Sequence, residues 1–324
     1  MGIIRFFFPL FLIYNSFCQA PQLLQELQYL EKDNLYTQKF PMIGLYDSSL
    51  YYEDYIEKSF YKSPINNNDT FQVVSFFKNN VIRNILDTNT IIILNEAHHF
   101  PYNRTTFYYL IDSLKKYKYN FVFLEGLNQL NVPYLINHPP GPDDGFYTQE
   151  IVYAEILRKL KKQGIAFFGY DTHDYNSKQN RIIIKNRKFL NYSIENKTIL
   201  IQIDNYIDSL YNLNNYTRRE VVQALSIAST IKYYKIKKAF VFCGHGHGTK
   251  SFGLMGELLE RMTKYCPFVI DQTIFREHSD SAYQSPIYTK FQNEPTPFFL
   301  LKEDNFFIRS VKNQKTLVDL YVSL

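Results

Sequence analysis

The chain of 324 residues has no tryptophan, three cysteines and four methionines, and no massed block of charge. Each scarcity removes a class of protein. Cys18 falls in a leader-like N-terminus, which leaves Cys243 and Cys266. Two cysteines cannot frame a disulfide-stapled fold, and their spacing is not that of a zinc cluster. Each borders an apolar run, so two free thiols and one disulfide both stay open. Lys and Arg number 36 against 31 Asp and Glu, a net charge of +5, with the basic residues scattered among acids. That pattern makes a mildly basic, solvated surface with nothing to recruit nucleic acid. Beyond the leader, no apolar run reaches the ~18 residues of a membrane-crossing helix. Two enzyme signatures are also missing: the His-Glu-x-x-His zinc-protease helix and the Gly-x-Ser-x-Gly nucleophile elbow. The run Gly248-Thr249-Lys250-Ser251 only approximates a phosphate loop, because Thr249 breaks the Gly-Lys-Ser spacing.

What is present begins at the N-terminus. Arg5 precedes the apolar run Phe6 to Tyr14, and Cys18-Gln19-Ala20 supplies small residues before a cleavage point. Residues 1–20 read as a secretory signal peptide, so the expected location is secreted or periplasmic, in the cell envelope. Asn15-Ser16-Phe17 lacks the small residues favoured before a lipidated cysteine, which disfavours a lipid anchor at Cys18. Residues 21–70 are polar, Tyr-rich and irregular, an N-terminal extension ending in Asn66-Asn67-Asn68-Asp69.

From residue 71 to residue 324 the pattern is that of one α/β domain. Phe71, Val74, Ile82 and Ile85 recur at helical spacing. Ile91 to Leu94, Phe121 to Leu124, Ile165 to Gly169, Ala239 to Cys243 and Phe268 to Ile270 read as buried strands. Between them fall helices over Arg104 to Lys116, Gln149 to Lys162 (capped by Thr148), Arg219 to Ile231 and Leu254 to Tyr265. Continuous apolar strands alternating with helices predict a mainly parallel sheet covered by helices on both faces. Asn176 to Asn215 reads as a helical insertion. Phe298 to Leu301 and Phe306 to Ile308 read as a C-terminal β-hairpin.

In such a sheet the functional crevice lies beyond the carboxyl ends of the strands. Glu96, His98 and His99 follow the first strand, Glu125 the second, Asp171 and His173 the third, His245 and His247 the fourth, and Asp271 the fifth. Five of the seven histidines thus gather at one edge. Structural alternatives stand beside each. Glu96 can cap the helix near Arg104, Glu125 can pair with Arg104 or another base, and Asp171-Thr172-His173-Asp174 is good turn chemistry. His245 and His247 lie among Gly244, Gly246 and Gly248, where backbone can approach a ligand closely. The set supports acid–base hydrolysis, with no cofactor or with one divalent metal lowering the pKa of bound water.

The ordered motifs resemble the erythromycin esterase-like superfamily, which also holds the ChaN-like haem-binding proteins. The resemblance rests on Asn95-Glu96-Ala97-His98-His99, Phe123-Leu124-Glu125, Gly145 to Glu150, Phe168 to Asp171, Arg219-Glu220 and Cys243 to His247. It implies a hydrolase acting on an ester or related bond of a small molecule. In that scheme His99 is the general base, Glu96 and Glu125 orient it, and His247 completes the site. His98, His245, Asp171 and Arg219 support it. His98 is the alternative first-motif histidine, matching the ChaN-like Glu-x-His, and Gly244-x-x-His247 also fits the ChaN-like form. A haem- or iron-binding exported protein is therefore the alternative. Asn95 stands where the esterases have Gly, Glu220 where they have Asp, and Ser226 where they tend to have Asn.

Overall fold

The computed structural model describes residues 34–43, 45–56, 71–75, 80–127, 138, 140–171, 215–250, 253–273, 278–279, 298–302 and 320–323. They divide between two compact units. The smaller comprises Met1–Lys62, His98–Pro101 and Glu277–Gln284, and the larger Ser63–Ala97, Tyr102–Arg276 and Ser285–Leu324.

The smaller unit has helices α1 (Asn34–Lys39) and α2 (Tyr46–Ile56), joined by a 3-10 turn over Phe40–Ile43. Part of the stretch expected to be irregular is therefore helical. Phe40 stacks on Tyr52 with ring centroids 5.3 Å apart. Asp54 closes the unit on its C-terminal piece, accepting from His278 Nδ1 at 2.5 Å and from Ser279 N and Oγ at 2.5 and 2.7 Å. Burial alone would raise the Asp54 carboxyl, but the His278 and Ser279 hydrogen bonds and the His278 charge outweigh it and hold it below the usual carboxylate range. A depressed carboxylate stabilises above its unfolded pKa, and that contribution is lost as pH falls through the folded value. The stability penalty of Asp54→Asn, read from urea unfolding, is thus expected at pH 7 and shrinks towards zero below about pH 4.

The larger unit contains β1 (Phe71–Ser75), α3 (Asn80–Thr88), β2 (Ile91–Glu96), α4 (Tyr102–Lys116), β3 (Phe121–Leu124), α5 (Ile151–Lys162) and β4 (Ala166–Gly169). It continues with α6 (Asn215–Tyr233), β5 (Ala239–Gly244), the short α7 (His245–Gly248), α8 (Met255–Thr263), β6 (Phe268–Asp271), β7 (Phe298–Lys302) and β8 (Leu320–Ser323). The strands form one sheet in the order β1-β7-β8-β6-β2-β5-β3-β4. From β8 to β4 every neighbouring pair is parallel, while β7 runs antiparallel to both β1 and β8.

Alternation along the central strands covers both faces. Ile91, Ile93, Phe123, Val241 and Val269 meet Val221, Ala224 and Ile227 of α6 and Leu258 and Leu259 of α8. On the opposite face Phe107 of α4 lies 5.0 Å from Phe240 and 4.8 Å from Phe242, centroid to centroid. Each such fully buried side chain stabilises by about 1.5–3 kcal/mol.

Three expectations change. Phe71 and Val74 belong to a strand, not a helix: β1 ends the sheet and is specified by its register with β7, Phe71 opposite Lys302 and Ser75 opposite Phe298. Local apolar spacing carries no record of that distant partner. The expected hairpin arm at Phe298 is β7, but its antiparallel neighbour is Leu320–Ser323; Phe306 to Ile308 lies outside the described residues. Helix α5 is capped by Glu150, whose Oε1 and Oε2 accept from Val152 N and Tyr153 N at 2.9 and 2.8 Å. Thr148 instead closes the preceding turn, donating to Gly145 O at 2.6 Å. Residues 1–20 and 176–214, expected as signal peptide and helical insertion, lie outside the described residues. Cys243 and Cys266 are both free thiols, so the disulfide alternative is not realised. No described helix is long and apolar enough to cross a membrane.

Candidate active site

Because β2, β3, β4, β5 and β6 are parallel, the residues that follow them emerge at one edge. The register then decides who meets whom. Leu124 pairs with Phe242, and Glu125 N donates to Phe242 O at 3.0 Å. This places the Glu125 carboxylate beside the end of β5, where Oε2 accepts from Gly244 N at 2.5 Å. Tyr153 of α5 braces the same turn, donating to Glu125 O at 2.6 Å.

Helix α6 brings Arg219 and Glu220 to this edge. Arg219 Nη2 reaches Glu125 Oε1 at 2.6 Å and Asp171 Oδ2 at 2.6 Å, and its Nε reaches Asp171 Oδ1 at 3.2 Å. One turn further along α6, Gln223 Nε2 donates to Asp171 Oδ1 at 2.8 Å. Arg219 Nη1 lies 2.8 Å from His247 Nε2, and His247 Nδ1 lies 2.5 Å from Glu220 Oε1. Glu220 is itself fixed, accepting from Met255 N through Oε2 at 2.8 Å.

These contacts determine the tautomer of His247. Guanidinium can only donate, so Nε2 must accept; the proton therefore sits on Nδ1 and is given to Glu220. The lone pair on Nε2 faces Arg219, with Glu125 Oε1 3.5 Å away. Three carboxylates share one guanidinium and one imidazole. The Arg219 side chain is 18% exposed, against 8% for His247 and 4% or less for the carboxylates, so it is the member solvent reaches most readily.

A second buried cluster surrounds Glu96. Its carboxylate takes both Nε and Nη2 of Arg104, at 2.7 and 3.0 Å, and Arg104 Nη1 reaches Glu150 Oε2 at 3.1 Å. Burial alone would lower the Arg104 pKa, but the charges of Glu96 and Glu150 outweigh it and leave the pKa raised. The Arg104 guanidinium also lies over the Tyr147 ring, 4.8 Å from its centroid. Burial, and then the charges of Glu125 and Glu96, push the Tyr147 phenol well above its usual range and keep it protonated. Gly126 makes room for that ring: its φ is +81°, and a Cβ there would lie 2.0 Å from Tyr147 Cδ2.

The sequence-expected residues therefore separate. Glu125, Asp171, Arg219 and His247 come together, and Glu96 anchors the Arg104 cluster. Of the sequence alternative that Glu125 pairs with Arg104 or another base, the second form holds: the base is Arg219. His245 is exposed at the start of α7, and Asp271 holds the turn after β6, accepting from Thr273 N and Oγ1 at 2.8 Å. His98 and His99 belong to the smaller unit. There His98 is half-buried, while His99 is buried with its Nδ1 3.2 Å from Glu53 Oε1. His173 lies outside the described residues. Among the described residues, no group of three His, Cys, Asp or Glu side chains is placed to hold a metal ion.

Nothing in the sequence singled out Gln223 or Glu53, and Tyr147 and Glu150 entered only as part of the Gly145 to Glu150 motif, with no role of their own. An acid directly before Ile151 was a readable cap signal for Glu150. The pairing of Glu220 with His247, 27 residues on, had no local signature.

No family model matches the chain, and no curated protein matches it. A solved structure that it resembles is ChaN of Campylobacter jejuni, described with cofacial haem binding. The two share 14% identity over 66% of this chain and 94% of that one, at a TM-score of 0.37. At that level the chemistry has to be argued from this chain's own residues.

Proposed function

We propose that this protein is an exported hydrolase that cleaves an ester or related bond of a small molecule, with His247 as its general base. The observation that carries the reading is the run of contacts from Glu220 through His247 to Arg219. Glu220 holds the imidazole with its proton on Nδ1, which leaves Nε2 as the basic nitrogen. A water entering at the partly exposed Arg219 takes the place of its guanidinium on Nε2. His247 accepts its proton as the hydroxide adds to the carbonyl carbon. The displaced Arg219 N–H groups then donate to the developing oxyanion. When the intermediate collapses, His247 returns the proton to the departing alkoxide. Glu125 and Asp171 keep Arg219 at the strand ends throughout.

His99, the base implied by the esterase resemblance, is a second imidazole held against a buried carboxylate. Export is supported by Arg5 and the apolar run Phe6 to Tyr14. The test is hydrolysis of a panel of small alkyl and aryl esters by the mature protein. Saturable turnover of at least one is expected, and rates at the buffer level across the whole panel would remove the reading.

A second reading, an exported haem- or iron-binding protein, has one observation in its favour. His245 presents an exposed imidazole where α7 begins. Titration with haemin tests it: a shifted absorption band lost in His245→Ala supports it, and an unshifted spectrum counts against it.

A further inference from the structure

The smaller unit contains a buried polar relay of its own. Thr37 on α1 donates through Oγ1 to Glu53 Oε2 at 2.6 Å. The other oxygen, Glu53 Oε1, lies 3.2 Å from His99 Nδ1. Ser49, one turn before Glu53 on α2, ties the same elements together, with its Oγ 2.7 Å from Thr37 O and 3.0 Å from His99 O. Thr37 and Ser49 are fully buried, and Glu53 and His99 are 6% and 5% exposed.

We propose that Glu53 is the positioning residue of His99, held in turn by Thr37, and that it keeps the His99 proton on Nδ1 so that Nε2 is the basic nitrogen. A buried carboxylate is an acceptor, and a hydroxyl already donating to one of its oxygens fixes which oxygen meets the imidazole. Ser49 holds the His99 backbone, so the ring is placed from both ends. The arrangement matches what Glu220 does for His247. For His99 it supplies an orienting carboxylate from the N-terminal segment, in place of the Glu96 and Glu125 that the esterase resemblance implies. As an assignment of catalytic importance it rests on the proposed hydrolase reading. As an assignment of tautomer it does not.

The experiment follows the imidazole nitrogens of the mature, 15N-labelled protein by NMR, with turnover measured beside it. In the parent protein His99 is expected with Nδ1 protonated and Nε2 bare at neutral pH. Glu53→Leu removes the acceptor, so His99 is expected to show mixed tautomers. Asp54→Asn, next along the helix, is expected to leave His99 unchanged and disturb His278. Should the leucine variant not fold, Thr37→Val serves: it releases Glu53 while keeping its volume, and the His99 Nδ1 proton resonance is expected to shift. A His99 tautomer unmoved by Glu53→Leu, or in its absence a His99 spectrum unmoved by Thr37→Val, overturns the proposal. If His99 loses its fixed tautomer while turnover is unchanged in His99→Ala, the positioning stands and His99 is removed from catalysis. If both variants lower kcat by the same factor with KM held, the positioning serves the reaction.

Discussion

Replacing Arg104 with methionine is expected to destabilise the larger unit by about 3–5 kcal/mol, because it strands two buried carboxylates at once. Arg104 and Glu96 are 1% and 2% exposed, and the guanidinium fork occupies both oxygens of Glu96 as well as one of Glu150. Methionine keeps much of the apolar stem but offers no donor. Glu150 retains Val152 N and Tyr153 N, so the larger share of the penalty falls on Glu96. That asymmetry gives an internal check. In the Arg104→Met background, Glu96→Gln should recover part of the loss, whereas alone it should itself destabilise, and urea unfolding of the four proteins closes the cycle. A loss under about 1 kcal/mol, the scale of a solvated surface pair, would mean that the cluster is not the buried ion triad described.

The second large effect follows from the proposed hydrolase reading. If His247 is the base of that reaction, Glu220→Gln is expected to lower kcat by about 10²–10⁴-fold with KM little changed, because the base is no longer oriented. Glu220 accepts twice, from His247 Nδ1 and from Met255 N. An amide has a single oxygen. If it faces Met255 N, the NH2 faces Nδ1, and the ring must move its proton to Nε2, where it meets the Arg219 donor. If it faces Nδ1, the NH2 confronts a backbone N–H. Either way two donors are opposed in a buried place, so a stability loss of about 1–3 kcal/mol accompanies the kinetic one. Rates must therefore be compared at a temperature where the variant is fully folded.

Much of the scaffold was readable in advance because parallel strands are buried on both faces. Phe121 to Leu124 is a strand with the expected bounds, and the runs at Ile91, Ala239 and Phe268 are each within two residues of theirs. The strands misread or passed over, Phe71–Ser75 and Leu320–Ser323, take their identity from distant pairing, with β7 for the first and with β7 and β6 for the second. The site was half legible. Strand ends bring Glu125, Asp171 and His247 to one edge, whereas Glu96 turns to Arg104 and His98 and His99 fall in the smaller unit. Which acid would hold which base was set by partners from other elements: Arg219 for Glu125, Arg104 for Glu96, Glu220 for His247 and Glu53 for His99. Apolar periodicity is silent on such choices. Arg219 and Glu220 are neighbours in sequence, yet they play opposite parts, one donating to Nε2 of His247 and the other accepting from Nδ1.

The central claim is that His247 Nε2 is the base of a hydrolytic site. The most direct measurement is kcat/KM for any ester turned over in the panel, compared between the parent protein and His247→Ala with folding matched by circular dichroism. The account predicts a fall of at least about a hundredfold. A folded His247→Ala protein with unchanged kcat/KM would contradict it.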